Sequence, residues 1–116
     1  MDPIEGGYRT GFRRVDSPEQ LVDRGRGFSE PLPHLPAATA GEVDAVVVPA
    51  LAVSQDGHRL GYGAGFYDSA LPDVCPPAQA ITVAFAFQLL VEVPHAEHDF
   101  RSDWVLTDEH AIEVKA

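Results

Sequence analysis

Two runs of strand-forming residues without polar alternation dominate the chain: residues 44–48 (DAVVV) and 80–87 (AITVAFAF). That pattern belongs to strands buried on both faces, as in parallel sheets. A third, shorter run lies at 103–107 (DWVLT). Between the first two, GAGFYDSAL has helical spacing in Phe66, Ala70 and Leu71. The segment QLLVEV predicts another short helix, with Leu89, Leu90 and Val93 facing inward. Upstream, YRTGFRRV reads as a strand whose apolar members are Tyr8, Phe12 and Val15, after a loose, acidic and glycine-rich start over residues 1–7. Ser17-Pro18-Glu19-Gln20 predicts a helix start, with Ser17 as N-cap, Pro18 at the first helical position and Gln20 closing a capping box. Gly25 and Gly27 keep that helix short, and the proline-rich residues 28–42 read as an extended connector. The alternation of strand, glycine loop, helix and strand predicts one α/β domain over residues 1–116: an open layered sheet, mostly parallel, with flanking helices. Such sheets take their ligands at the carboxyl ends of their strands.

Charge narrows the partners. Eight basic residues against 18 acidic ones give a net charge of −10 over 116 residues. Nucleic-acid and anionic-membrane surfaces need basic patches, so neither is expected as a partner. An anionic small molecule is still compatible, because converging backbone N–H groups bind one against the overall field. Cys75 is the single cysteine, so the chain forms no internal disulfide. No apolar run approaches the roughly 18 residues that span a bilayer, and the N-terminal stretch lacks a hydrophobic signal region; a cytoplasmic location is expected.

The chemistry concentrates in GHRLGYGAGFYDSAL, residues 57–71. Gly61, Gly63 and Gly65 alternate with Tyr62 and Ala64, which is neither the dinucleotide fingerprint nor the P-loop. Glycines at this spacing serve a tight turn or bring backbone N–H groups onto a phosphate. Arg59 adds a guanidinium at the loop entrance, suited to forking onto phosphate oxygens. Asp68, one turn into the predicted helix, either complements the helix N-terminus or holds Mg²⁺ against bound phosphates. His95 and His98 stand at i, i+3, without the cysteine or carboxylate partners that a transition-metal site needs.

Residues 59–71, RLGYGAGFYDSAL, resemble the signature of the 5-formyltetrahydrofolate cyclo-ligase family, roughly R-L-G-x-G-x-G-[FY]-Y-D. VDAVVVPALAV is similar to the family's preceding strand with its following proline, and FSEP to its short E-P segment. VAFAFQLLVEVPHAEHDFRSDWVLT is similar to its F-x-x-Q…P…H-D…D-x-V-x-T tail. The resemblance runs from about residue 12 to 108. It implies an open, cyclo-ligase-like (CoA-transferase-like) α/β fold. It also implies a reaction in which ATP and Mg²⁺ drive closure of 5-formyltetrahydrofolate to 5,10-methenyltetrahydrofolate, giving ADP and phosphate. In that family the formyl oxygen is thought to take the γ-phosphate before the neighbouring folate nitrogen attacks. The resemblance assigns Arg59 and Tyr67 to the catalytic centre. ATP would be held by Arg59, Leu60, Gly61, Tyr62, Gly63, Ala64, Gly65, Phe66 and Tyr67. Tyr62, Gly63, Ala64, Gly65 and Phe66 would border the folate, and Asp68 and Asp99 would hold Mg²⁺. Ser69 departs from the arginine common in bacterial members. The resemblance covers the family's C-terminal portion. The family's N-terminal βα portion carries a basic helix whose lysine reaches ATP. The expectation is that it comes from another chain, from a second copy or from sequence upstream of a mis-called start, the alternative being a binding module or an inert remnant that has lost it. The only lysine here, Lys115, is not in a matching position.

Overall fold

The computed structural model describes residues 2–4, 7–9, 11–25, 27–61, 66–96 and 99–114. Its centre is a four-stranded sheet in the order β11-β10-β8-β5, built from Ala45–Pro49 (β5), Gln79–Val83 (β8), Trp104–Leu106 (β10) and Ala111–Glu113 (β11). The three middle-of-chain strands β5, β8 and β10 run parallel, and β11 closes one edge antiparallel. Three smaller pairings surround it. Asp2–Ile4 (β1) pairs with Gly7–Arg9 (β2), and Leu21–Asp23 (β3) with Ser29–Pro31 (β4). Ala52–Ser54 (β6) joins Arg59–Leu60 (β7) and Leu89–Leu90 (β9). The helix Phe66–Val74 (α1) is the one α-helix among the described residues. The α/β class and the parallel ladder follow the sequence expectation; the plural flanking helices reduce here to α1 and short 3₁₀ turns.

The core forms where α1 packs on one face of the sheet. Val46 and Val48 of β5 and Ala80 of β8 meet Leu71, Val74, Cys75 and Ala78, with Phe12, Val43, Tyr67 and Phe100 packed at the margin. A second cluster, Ala50, Val53 and Val105, ties the small sheet to the large one. The buried hydroxyls of Thr82 and Ser102 satisfy each other between β8 and the segment leading to β10.

Four local expectations change. β5 alternates between buried and exposed residues instead of being buried on both faces, because α1 covers only the side carrying Val46 and Val48. The run AITVAFAF leaves the sheet after Val83 and turns as a 3₁₀ segment, Ala86–Gln88. QLLVEV forms no helix. The Gln88 side chain accepts from the Phe85 N–H at 2.8 Å and donates to the Ala50 and Leu51 carbonyls, fixing the turn so that Leu89 and Leu90 pair with Val53 and Ser54. YRTGFRRV splits: Gly7–Arg9 pairs with residues 2–4, and Arg13 forms an isolated bridge with Ala37. The predicted helix start at Ser17 holds as a single 3₁₀ turn with its capping box, after which β3 begins at once.

Burial pushes the Cys75 thiol above its usual range, and the nearby Asp103 adds to the shift. The thiolate is the nucleophile, so reaction with Ellman's reagent at pH 8 should be roughly a hundredfold slower in the folded chain than in guanidinium, limited by local opening.

Candidate functional site at the head of helix α1

The site assembles at the carboxyl end of β5, as the parallel sheet requires. After β5 the chain turns through β6 and returns as β7, pairing Val53 with Arg59 and Ala52 with Leu60. This carries the Arg59 side chain back toward the end of β5, where Nη1 donates to the Pro49 carbonyl at 3.5 Å. The side chain is 7% exposed, its Cζ stands 5.2 Å from the Tyr67 ring centroid, and Nη2 lies 4.0 Å from Asp68 Oδ1. A cation over a ring face in a partly desolvated place is an attractive arrangement. Gly61 permits it, since a Cβ at that position would stand 2.6 Å from Arg59 Nη1. Arg59 Nε is buried without a hydrogen-bond partner among the described residues.

Helix α1 supplies the other wall. Phe66 and Tyr67 stand edge to face at its start, with centroids 4.9 Å apart. Burial raises the Tyr67 hydroxyl above its ordinary value, partly opposed by the Arg59 charge. The phenol therefore stays protonated, and a donor, throughout the neutral range. Asp68 Oδ1 accepts the Phe100 N–H at 3.3 Å, which brings the head of α1 to the segment carrying Asp99. Asp99 sits in its own turn: its Oδ2 accepts the Ala96 N–H at 2.8 Å, and its N–H donates to the Ala96 carbonyl at 3.1 Å. Arg59, Tyr67, Asp68 and the Asp99–Phe100 link are thus brought together. Leu60 is on β7, largely exposed, and Gly61 follows it. Tyr62, Gly63, Ala64 and Gly65 lie outside the described residues, as does His98. His95 instead stacks on His58, with centroids 3.6 Å apart and planes 6° from parallel, and its Nδ1 contacts the Val93 carbonyl.

Mg²⁺ takes one or two carboxylates and leaves its other positions to phosphate and water; Asp68 and Asp99 offer the oxygen chemistry such an ion takes, one oxygen of each already accepting a backbone N–H, from Phe100 and from Ala96. Among the described residues no three histidine, cysteine or acidic side chains cluster as an all-protein metal cage.

Sequence reasoning missed how this assembly is held. Gly57, at φ +86°, accepts from the Ser102 N–H at 3.0 Å, and Arg101 Nε donates to the Asp56 carbonyl at 2.9 Å. The Asp56 carboxyl accepts from the Ser54 hydroxyl, which holds its pKa below the usual range. The Asp-Gly dipeptide was the available signal, being a strong turn former. Glu30 is another such residue: buried at 4% exposure on β4, it gave no sign in the sequence beyond its place in FSEP. A cleft of about 450 Å³ lies apart from the predicted residues, lined by Ser54, Asp56, Glu92, Val93, Pro94 and His95.

A parallel α/β sheet with an arginine-glycine loop and a carboxylate-bearing helix at the end of its edge strand defines a ligand-site architecture of the layered α/β class. Residues 9–108 match the model of the 5-formyltetrahydrofolate cyclo-ligase family, and the chain belongs to that family. It is 47% identical over 96 residues to a 5-formyltetrahydrofolate cyclo-ligase of Mycolicibacterium smegmatis, covering 82% of this chain and 50% of the relative. The corresponding mouse protein is 37% identical over 78 residues, covering 63% and 38%. The NMR structure of Aquifex aeolicus 5,10-methenyltetrahydrofolate synthetase superposes with a TM-score of 0.75 at 30% identity, over 90% of this chain and 52% of that one. A 5,10-methenyltetrahydrofolate synthetase from Mycoplasma pneumoniae gives 0.57 at 25% identity, over 65% and 45%. The chain spans half or less of the length of these curated relatives. No helix among the described residues is long and apolar enough to cross a membrane.

Proposed function

We propose that this chain carries the ATP-phosphate and Mg²⁺ side of a 5-formyltetrahydrofolate cyclo-ligase, closing 5-formyltetrahydrofolate to 5,10-methenyltetrahydrofolate with release of ADP and phosphate. The supporting observation is the Arg59 guanidinium, held against Tyr67 and Asp68 at the carboxyl end of β5 with its Nε still unpartnered among the described residues. A phosphate oxygen satisfies that kind of donor, and a guanidinium matches phosphate geometry better than an ammonium does. In this reading Arg59 orients the transferred phosphoryl group and offsets its charge. The backbone at Gly61, Gly63 and Gly65 closes on the other phosphates, with Leu60, Tyr62 and Ala64 completing the loop. Phe66 and Tyr67 border the base or the pterin, and the protonated Tyr67 hydroxyl donates to an oxygen there. Asp68 and Asp99 hold Mg²⁺, which when bound neutralises phosphate charge as it does in phosphoryl transfer generally.

The test follows methenyltetrahydrofolate absorbance. Signal is expected only when ATP, Mg²⁺ and 5-formyltetrahydrofolate are all present. Arg59→Lys should lower turnover by about 100-fold or more, the scale of losing one preorganised charged donor. Turnover unaffected by Arg59→Lys would remove the proposed role. A second reading, a nucleotide- or folate-binding module without turnover, is favoured by the half-length match to the relatives. Calorimetric binding of ATP or 5-formyltetrahydrofolate without product formation would select it.

A further inference from the structure

The three residues ahead of Arg59 each reach across the molecule to the segment that carries Asp99. The Asp56 carbonyl accepts from Arg101 Nε at 2.9 Å, and the Gly57 carbonyl accepts from the Ser102 N–H at 3.0 Å. The His58 ring stacks on His95, with centroids 3.6 Å apart and planes 6° from parallel. The segment is thus held on both sides of Asp99, by His95 before it and by Arg101 and Ser102 after it. Ala96, next to His95, completes the link. Its N–H donates to Asp99 Oδ2 at 2.8 Å, and its carbonyl accepts the Asp99 N–H at 3.1 Å. Placing the His95 ring therefore places the Asp99 turn.

The stack is the only one of the three contacts made by side chains alone. His58 Nδ1 is buried without a hydrogen-bond partner among the described residues, so that nitrogen does not fix its ring. His95 is exposed, and its Nδ1 contact is local, to the Val93 carbonyl at 3.0 Å. What spans the distance between the two segments is ring on ring, a contact that adds stability beyond the area it buries. We propose that the His58–His95 stack is a positioning device for Asp99. It fixes that carboxylate relative to Arg59, the residue next to His58, and so sets the spacing between the cation side and the phosphate side of the site. The inference rests on the Mg²⁺ role proposed for Asp99. His95 acts through Ala96 and Asp99, not by touching a ligand.

Three substitutions at His95 separate the ring from its nitrogen. His95→Ala removes both, His95→Asn keeps a group for the Val93 carbonyl without the ring, and His95→Phe keeps the ring without the nitrogen. The first readout is amide hydrogen exchange in the free chain at fixed neutral pH, with no nucleotide or metal. The Asp99 and Phe100 amides should exchange about fivefold faster in the alanine and asparagine variants, the scale of one lost ring pair, while Thr82 in β8 is unchanged. The phenylalanine variant should match the parent. The second readout is calorimetry with ATP: alanine and asparagine should weaken binding about fivefold with Mg²⁺ and leave it unchanged in EDTA, and phenylalanine should restore it. Unchanged exchange in the alanine variant would overturn the proposal, as would a phenylalanine variant that behaves like alanine. Faster exchange with unaltered Mg²⁺–ATP affinity would overturn it too. A parent chain that binds no ATP would instead sink the proposed function, and the exchange result alone would then decide whether the stack places Asp99.

Discussion

Alanine at Asp68 is expected to abolish the Mg²⁺-dependent part of ATP binding, a loss of roughly 100-fold in affinity, or about 2.7 kcal/mol. The residue has three connections: to Arg59 at 4.0 Å, to the Phe100 N–H at 3.3 Å and, in the proposed site, to the metal. Alanine removes all three. Asparagine keeps an oxygen for the Phe100 N–H while losing the charge, so it separates the structural contact from the electrostatic one. Titration calorimetry with and without Mg²⁺ should find Asp68→Asn close to alanine when Mg²⁺ is present. Both variants should resemble the parent chain when it is absent. Equal Mg²⁺–ATP affinity in parent and alanine variant would sink the assignment.

Gly57→Ala is expected to be the most damaging single methyl in the turn region. Two costs add. The residue has φ +86°, where an L side chain is strained by about 1–2 kcal/mol. The added Cβ would also stand 2.8 Å from the Ser102 carbonyl oxygen and 3.0 Å from Val114 Cγ1. The first of those is backbone in a hydrogen-bonded segment, so the turn or β10's approach must shift. A total near 3 kcal/mol corresponds to a drop of about 12 °C in melting temperature for a chain of this size. A calorimetric drop below about 3 °C would show that the segment yields easily. Because Gly57 docks the segment that carries Phe100, ATP binding should weaken together with stability.

The legible parts of the sequence were those where composition and local spacing agree. DAVVV, AITV and WVL are β-branched and aliphatic, and they became the parallel ladder; Phe66, Ala70 and Leu71 marked the helix. Arg59 and Asp68 were readable as chemistry because the glycines between them promised close backbone approach. Other features depended on partners distant in sequence. QLLVEV looks amphipathic in isolation, but Gln88 reaches carbonyls 37 and 38 residues away and converts the segment into a turn and a short strand. The exposed face of β5 was also illegible, since an apolar run looks the same whether one or two layers cover it. Tyr67 was readable as an aromatic; its contact with Arg59 depended on β7 folding back, which the pattern does not encode.

Arg59 enters the site already immobilised, clasped by the Pro49 carbonyl, the Tyr67 ring and the space that Gly61 leaves. Fixing a flexible, rotamer-rich side chain opposes association by about 0.5–1.5 kcal/mol when it happens on binding. Here that ordering occurs when the chain folds, so in the proposed site an incoming anion would meet a guanidinium with little orientational freedom left to lose. Loosening the clasp at Gly61 or Tyr67 should therefore appear first as a less favourable binding entropy, before any contact to the anion is removed.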